Sequence, residues 1–104
     1  MPHQIEYSPE ARADLKALDR VDQAALEDAI PHYLGDQPDQ RSRRRKRMEP
    51  NPVGAPWALR LDELRVYYDI DSAARVVRVL RVGQKRRNRV FLRGVETDMR
   101  EVDE

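Results

Sequence analysis

The sequence predicts an α+β fold in which two N-terminal helices pack on one face of a small, mainly antiparallel sheet, in the order β-α-α-β-β-β. Three observations support this fold class. The first half of the chain carries two helix-start signals, each followed by an apolar stripe of helical spacing. Residues 57–71 alternate with a period of two around one turn, and residues 74–83 are rich in β-branched side chains.

The start of the first helix is predicted from its cap. The stretch HQIEYS, with Ile5 and Tyr7 alternating, predicts a short opening strand. Ser8 followed by Pro9 then supplies an N-cap and a first helical residue. The apolar residues that follow share one helical face, and they are Ala11, Leu15 and Leu18.

A second helix is predicted to follow, with Asp22 as its cap. Pro31 lies within its apolar stripe and is expected to kink the helix or end it early, because proline lacks a backbone N–H. Gly35 suits the C-terminal cap. The stripe consists of Leu26, Ile30, Tyr33 and Leu34.

Residues 36–56 are predicted to form a loop, because they contain several proline and glycine residues. The basic run RSRRRKR, residues 41–47, falls inside this loop. Such a run is either a solvated, mobile segment or a contact surface for nucleic acid. The residues that indicate the loop are Pro38, Pro50, Pro52, Gly54 and Pro56.

The stretch WALRLDELRVYYDID predicts a β-hairpin with its turn at Asp62–Glu63. One set of side chains is expected to face the helices: Trp57, Leu59, Leu61, Leu64, Val66, Tyr68 and Ile70. The other set is expected to face water: Ala58, Arg60, Arg65, Tyr67, Asp69 and Asp71. After a second turn near residues 71–73, ARVVRVLRVG has apolar residues on both faces, as a central strand would.

The composition limits the class of protein. The 104 residues fit one compact domain spanning residues 1–104, with 39% apolar and 38% charged side chains. The absence of cysteine excludes disulfides and thiolate metal sites. No apolar run is long enough for a membrane span and the N-terminus lacks a signal-peptide pattern, so a cytoplasmic location is expected. His3 and His32 lie far apart, so no metal or other cofactor is expected.

Arg60 and Arg65 are predicted to lie directly opposite each other on the polar face of the hairpin. Like charges in that position destabilise a strand pair. A phosphate bound between them would reverse the sign of the interaction, since guanidinium groups match phosphate oxygens. Alternatively, Asp62, Glu63 or Asp69 neutralises them on the surface.

The stretch VGQKRRNRVF, residues 82–91, is the second candidate for chemistry. Gly83 would let the strand turn or approach another backbone closely. Clustered cations disfavour a further positive charge, so Lys85, beside Arg86 and Arg87, is a candidate for proton exchange. The alternative is that Lys85 is an ordinary surface lysine.

Taken in order, these stretches resemble the RelE/ParE superfamily of bacterial toxins. The resemblance rests on YSPEA, KRMEPNP, WALRL, LRVYYDID and VLRVGQKRRNRVF, and it covers nearly the whole chain. It implies a small antiparallel sheet backed by two N-terminal helices. It also implies a cognate antitoxin that neutralises the toxin within a toxin-antitoxin hetero-oligomer.

The resemblance implies three alternative functions. The first expectation is a RelE-like mRNA interferase, an endoribonuclease that inhibits translation by cutting mRNA on the ribosome. Such toxins need no metal and promote attack of the ribose 2′-hydroxyl on the adjacent phosphate. The alternatives are a ParE-like inhibitor of DNA gyrase that does no chemistry, and an inactive member that only binds its antitoxin.

The resemblance also implies roles for particular residues. Arg60 and Arg65 would hold the scissile phosphate, and Lys85 would transfer protons. The tyrosine base of RelE-type toxins falls on Phe91, which has no ionisable hydroxyl, so Tyr67 is a possible replacement. RNA bases are expected to stack on Tyr67, and the RNA backbone is expected to contact Arg43, Arg44, Arg45, Lys46, Arg47, Arg86, Arg87 and Arg89.

Overall fold

The computed structural model describes residues 2–103, which form two helices and seven strands. The predicted α+β class is confirmed, and three short strands are added to the four that were expected. None of the helices in this part of the chain is long and apolar enough to cross a membrane. In chain order, the elements are β1 (Gln4–Tyr7), α1 (Pro9–Ala17), α2 (Arg20–Leu34), β2 (Arg45–Arg47), β3 (Trp57–Leu61), β4 (Leu64–Asp71), β5 (Val76–Arg86), β6 (Arg89–Leu92) and β7 (Val95–Thr97).

Both helices begin at side-chain caps. The Ser8 hydroxyl accepts a 3.0 Å hydrogen bond from the Ala11 amide, and Pro9 is the first helical residue, as predicted. The prediction for α2 is wrong, because its cap is Asp19, whose carboxylate accepts a 2.8 Å bond from the Asp22 amide. The connection between the helices is therefore shorter than the sequence pattern indicated.

α2 continues past Pro31 and ends at Leu34, so the expected early end is wrong. Pro31 lies in the last turn, where the helix gives up only one backbone hydrogen bond to accommodate it. The predicted cap is confirmed, since the Gly35 amide donates to the Pro31 carbonyl at 3.0 Å.

The sheet has the strand order β2-β3-β4-β5-β6-β7, and β1 pairs in parallel with β5. The predicted hairpin register is confirmed, because Trp57 pairs with Tyr68 and Arg60 with Arg65. β5 is the central strand. β4 lies along one edge of it, and β1 and β6 share the other, with β1 pairing to residues 76–79 and β6 to residues 84–86.

Both faces of the sheet are covered, so the prediction that one face of the hairpin meets water is wrong. The helices cover the face that carries Trp57 and Tyr68, as predicted. On the opposite face a second apolar cluster buries Ala58 and Tyr67. The covering side chains come from distant parts of the chain, and they are Met48, Val53, Ala55, Leu80, Val90, Leu92 and Met99.

The edge of β5 between β1 and β6 has no neighbouring strand, and α1 fills this gap. A β-bulge opposite Tyr67 and Tyr68 shifts the register here. The Ser8 amide donates to the Val79 carbonyl at 2.9 Å, and the Ser8 hydroxyl donates to the Leu80 carbonyl at 2.7 Å. The cap of α1 thus also satisfies backbone groups that a strand would otherwise pair.

Asp14 of α1 completes the gap. Its side chain is 1% exposed and accepts a 2.9 Å bond from the Val82 amide. Arg81 contacts both carboxylate oxygens, at 2.7 and 3.0 Å, and Arg93 approaches at 2.8 Å. The bond to Asp14 raises the pKa of the Arg81 guanidinium. A buried carboxylate with this many donors is fully compensated.

Gly83 follows directly and is needed for close approach. A Cβ atom at this position would lie 2.6 Å from the Phe91 carbonyl oxygen and 2.5 Å from Leu92 Cδ2. The absence of a side chain therefore lets β6 pack against β5 immediately after the gap, which confirms the expected close contact.

We expect Asp14→Asn to lower the free energy of unfolding by about 3 kcal/mol, because it leaves two arginines without their buried counter-charge. This is the low end of the range for a broken buried pair, since Arg81 and Arg93 partly reach solvent. Urea denaturation would measure the change. Glu10→Gln is the control, because it removes an exposed partner of Arg93 and should cost less than about 1 kcal/mol. Equal losses for both variants would contradict the role given to Asp14.

Candidate functional site

Arg60 and Arg65 lie opposite each other as predicted, but the guanidinium of Arg65 is engaged within the protein. Arg65 is 6% exposed, and its Nη1 donates to the carbonyls of Asp62 at 2.7 Å and Leu64 at 2.8 Å. Burial, and then the charge of Arg60, lower the pKa of the Arg65 guanidinium. Arg65 therefore stabilises the β3–β4 turn and has little surface left for a phosphate.

Arg60 is more exposed and faces an acidic side chain. Its Nε lies 3.5 Å from Oε2 of Glu101, and the two side chains are 38% and 29% exposed. Glu101 reaches this position because the C-terminal segment runs beside β2, with Glu101 bridged to Met48. The like charges of Arg60 and Arg65 are thus relieved by Glu101, and Glu63, one of the acids that the sequence indicated, also favours the charged form of Arg65.

Lys85 lies in an open concavity between the β3–β4 and β5–β6 turns. This concavity, of about 320 Å³, is lined by Asp62, Glu63, Arg65, Lys85, Arg87 and Asn88. The Lys85 amide donates to the Glu63 carbonyl at 2.7 Å, which ties the two turns together. Three of the predicted cationic residues therefore converge here, but two carboxylates from the β3–β4 turn line the same surface.

Tyr67 is not on a solvated face, and this expectation is wrong. Its side chain is 1% exposed within the second apolar cluster. Burial raises the pKa of the Tyr67 hydroxyl above its usual range, although the charge of Arg65 lowers it. Enclosed in this way, the Tyr67 ring offers no exposed face on which a nucleic-acid base could stack.

Phe91 lies on the opposite face of the sheet from Lys85. Directly paired residues of antiparallel strands point to the same face, and Phe91 pairs with Gln84 whereas Lys85 pairs with Val90. Phe91 lines a cavity of about 530 Å³ together with Ala17 at the end of α1. The residue that takes the place of the expected tyrosine is therefore separated from Lys85 by the sheet.

The basic run is ordered, so the prediction of a continuous loop over residues 36–56 is wrong. Residues Arg45–Arg47 form β2, which pairs with β3. The guanidinium of Arg44 lies 5.0 Å from the centre of the Tyr33 ring, and that of Arg47 lies 5.0 Å from the Trp57 ring. These stacked arginines hold β2 on the sheet.

The other predicted RNA contacts are divided among different environments. Arg45 donates to the carbonyls of Tyr33 at 3.0 Å and Asp36 at 3.3 Å. Arg89 pairs with Glu96 at 3.1 Å, and Arg86 donates to Gln84 at 2.9 Å. Of the predicted RNA contacts, Arg43, Arg86, Arg87 and Arg89 are exposed, whereas Lys46 is half-buried.

Sequence reasoning missed two residues that shape this region. Asp14 lies within the apolar stripe of α1, three residues after Ala11 and four before Leu18, so helical spacing alone places a carboxylate on the buried face. Glu101 carried no comparable signal, because its position depends on the pairing of the C-terminal segment with β2.

We expect the buried tyrosines to make stability depend on alkaline pH. Burial raises the folded-state pKa of Tyr67 and Tyr68 above the unfolded value of about 10. Their neutral form therefore stabilises the fold fully below about pH 10, and this contribution is lost as the pH rises further. Tyr67→Phe should make the loss shallower. Titration of tyrosinate absorbance would test this, and ionisation of Tyr67 in the folded protein near its usual pKa would contradict it.

Comparison with known proteins assigns the chain to a family. The family model described as ParE toxin of type II toxin-antitoxin system, parDE, matches residues 5–89. The toxin-antitoxin complex RelBE2 from Mycobacterium tuberculosis contains a chain that is similar in structure, with 25% identity and a TM-score of 0.70. The alignment covers 82% of the present chain and 100% of that chain. No curated protein sequence matches. The chain belongs to the ParE toxin family, within the RelE/ParE superfamily of type II toxins.

Proposed function

We propose that this toxin acts by binding its target, as a ParE-like inhibitor of DNA gyrase, and that a cognate antitoxin neutralises it. The observation that carries the proposal is the burial of Arg65 and Tyr67. Arg65 donates to carbonyls of its own turn, and Tyr67 is enclosed by the second apolar cluster. These are the residues that phosphate binding and proton abstraction would require at the surface.

The antitoxin partner is supported by family membership and by the structural similarity to a chain from a toxin-antitoxin complex. Charge supports it as well, because basic side chains are concentrated in residues 41–47 and 81–93. Such a surface would attract an acidic, partly disordered segment and speed its association.

RelE-like cleavage of mRNA is the second candidate function. The observation that favours it is the convergence of Arg65, Lys85 and Arg87 around one open concavity. In that case Lys85 and Arg87 would contact the phosphate, and Arg60 would approach only if Glu101 moved away.

The proposed activity is tested by adding the purified chain to gyrase and relaxed plasmid. We expect inhibition of supercoiling that is relieved by the cognate antitoxin. Tyr67→Phe should retain the inhibition and the growth arrest, because the hydroxyl is given no role. Loss of growth arrest by about a hundredfold or more in Tyr67→Phe, with an unchanged fold, would instead indicate a proton-transfer role. Full supercoiling activity at saturating toxin would overturn the proposal.

The β5–β6 turn is expected to contribute to target binding. Arg87 and Asn88 both have positive φ, at 50° and 65°, and residues 86–89 are all exposed at its tip. Arg87→Ala should weaken the inhibition of gyrase by about two- to fivefold, the range for one exposed charge, and reduce its salt dependence. Arg20→Ala removes the same charge from the exposed start of α2 and is the control. Equal effects of both substitutions would contradict a specific role for the turn.

A further inference from the structure

The C-terminal residues 98–103, here called the strap, occupy the outer edge of β2. The Glu49 amide donates to the Arg100 carbonyl at 2.8 Å, and the Val102 amide donates to the Arg47 carbonyl at 2.8 Å. Between these bonds, Glu101 bridges antiparallel to Met48. The strap therefore pairs with Arg47 at the end of β2 and with the two residues that follow it.

The strap places the carboxylate of Glu101 beside Arg60 of β3. The Glu101 carboxylate lies 3.5 Å from the Arg60 guanidinium. Arg60 shares its face of the sheet with Lys46, because Lys46 pairs with Ala58, two positions along β3 from Arg60. The chain thus covers a basic strand edge with its own acidic, extended segment.

The attachment of the strap is weak compared with the rest of the sheet. Within residues 2–103, the backbone bonds to Arg47 and Glu49 and one partly exposed ion pair hold it, together with the half-buried side chains of Met99 and Val102. An exposed ion pair of this kind contributes little, and segments with few buried contacts open at low free energy. A competing segment need supply only slightly more binding energy to replace it.

We propose that the strap is displaceable, and that the surface beneath it binds an extended acidic segment of the antitoxin. This inference rests on the proposed antitoxin partner and names the surface and the chemistry of the contact. When the strap leaves, the Arg47 carbonyl and the Glu49 amide become available for strand addition, which supplies affinity. Arg60 can pair with a carboxylate in the position that Glu101 now occupies, and this contact supplies specificity.

The mechanism is a competition between two acidic segments for one edge. The partner can bind only those molecules in which the strap is undocked. Its apparent association constant is therefore the intrinsic constant multiplied by the fraction of molecules in which the edge is free. Weakening the strap should therefore tighten partner binding, and removing the Arg60 charge should weaken binding of either segment.

A labelled peptide with the sequence of residues 97–103, TDMREVD, serves as the probe. Its binding is measured by fluorescence anisotropy on the full chain. We expect Glu101→Gln to bind the peptide about two- to fivefold more tightly than the wild-type chain, the range for one exposed ion pair. Adding Arg60→Gln to that variant should abolish the gain. Asp103→Asn removes the same charge from an exposed position and should leave binding unchanged.

Hydrogen exchange on the unmodified chain provides a second measurement. The amides of Glu49 and Val102 should exchange much faster than those of β4 in the centre of the sheet. Exchange as slow as that of β4 would overturn the displaceable strap. So would a peptide that fails to bind Glu101→Gln, or an equal gain from Asp103→Asn.

The outcomes separate this inference from the proposed function. Peptide binding with the expected dependence on Arg60, in a chain that does not inhibit gyrase, would overturn the gyrase proposal and support the binding edge. Inhibition of gyrase without peptide binding would overturn the binding edge alone. If the cognate antitoxin binds equally well to the wild-type chain and to Arg60→Gln, the antitoxin does not use this edge and the inference fails.

Discussion

The gap along one edge of β5 is the constraint on which the rest of the structure depends. β5 is the longest strand, and β1 and β6 cover its edge only in part. The intervening backbone groups are satisfied by Ser8 and Asp14 of α1. An unsatisfied buried N–H or C=O is costly, so these bonds determine where α1 lies on the sheet. Arg81 and Arg93 then neutralise the carboxylate that this arrangement buries.

The same constraint affects the sheet face that carries Tyr67, because it determines which side chains cover that face. Past the gap, Gly83 lets β6 pack tightly, and β6 contributes Val90 and Leu92 to the second apolar cluster. That cluster encloses Tyr67, while the neighbouring Arg65 is used by the β3–β4 turn. A hairpin face that could have been a reaction surface is therefore mostly a second core. The cations that remain exposed lie at its margins, where they are suited to contact another macromolecule.

The sequence was sufficient for the fold class, the cap at Ser8 and the register that pairs Arg60 with Arg65, because each depends on local spacing. It was insufficient for the burial of Tyr67, since Met48, Leu92 and Met99 cover this residue from distant parts of the chain. Sequence alternation shows which side chains share a face, but it does not show whether that face is covered. The partner of Arg60 was missed for the same reason, because Glu101 arrives through long-range strand pairing.

The central proposal is that the toxin acts by binding its target and does not cleave RNA. The most direct measurement is a single-turnover reaction of the purified chain, in excess, with ribosomes carrying end-labelled mRNA. We expect no cleavage above that of ribosomes alone. Toxin-dependent cuts in the mRNA that disappear with Lys85→Ala, in a variant of unchanged stability, would contradict it.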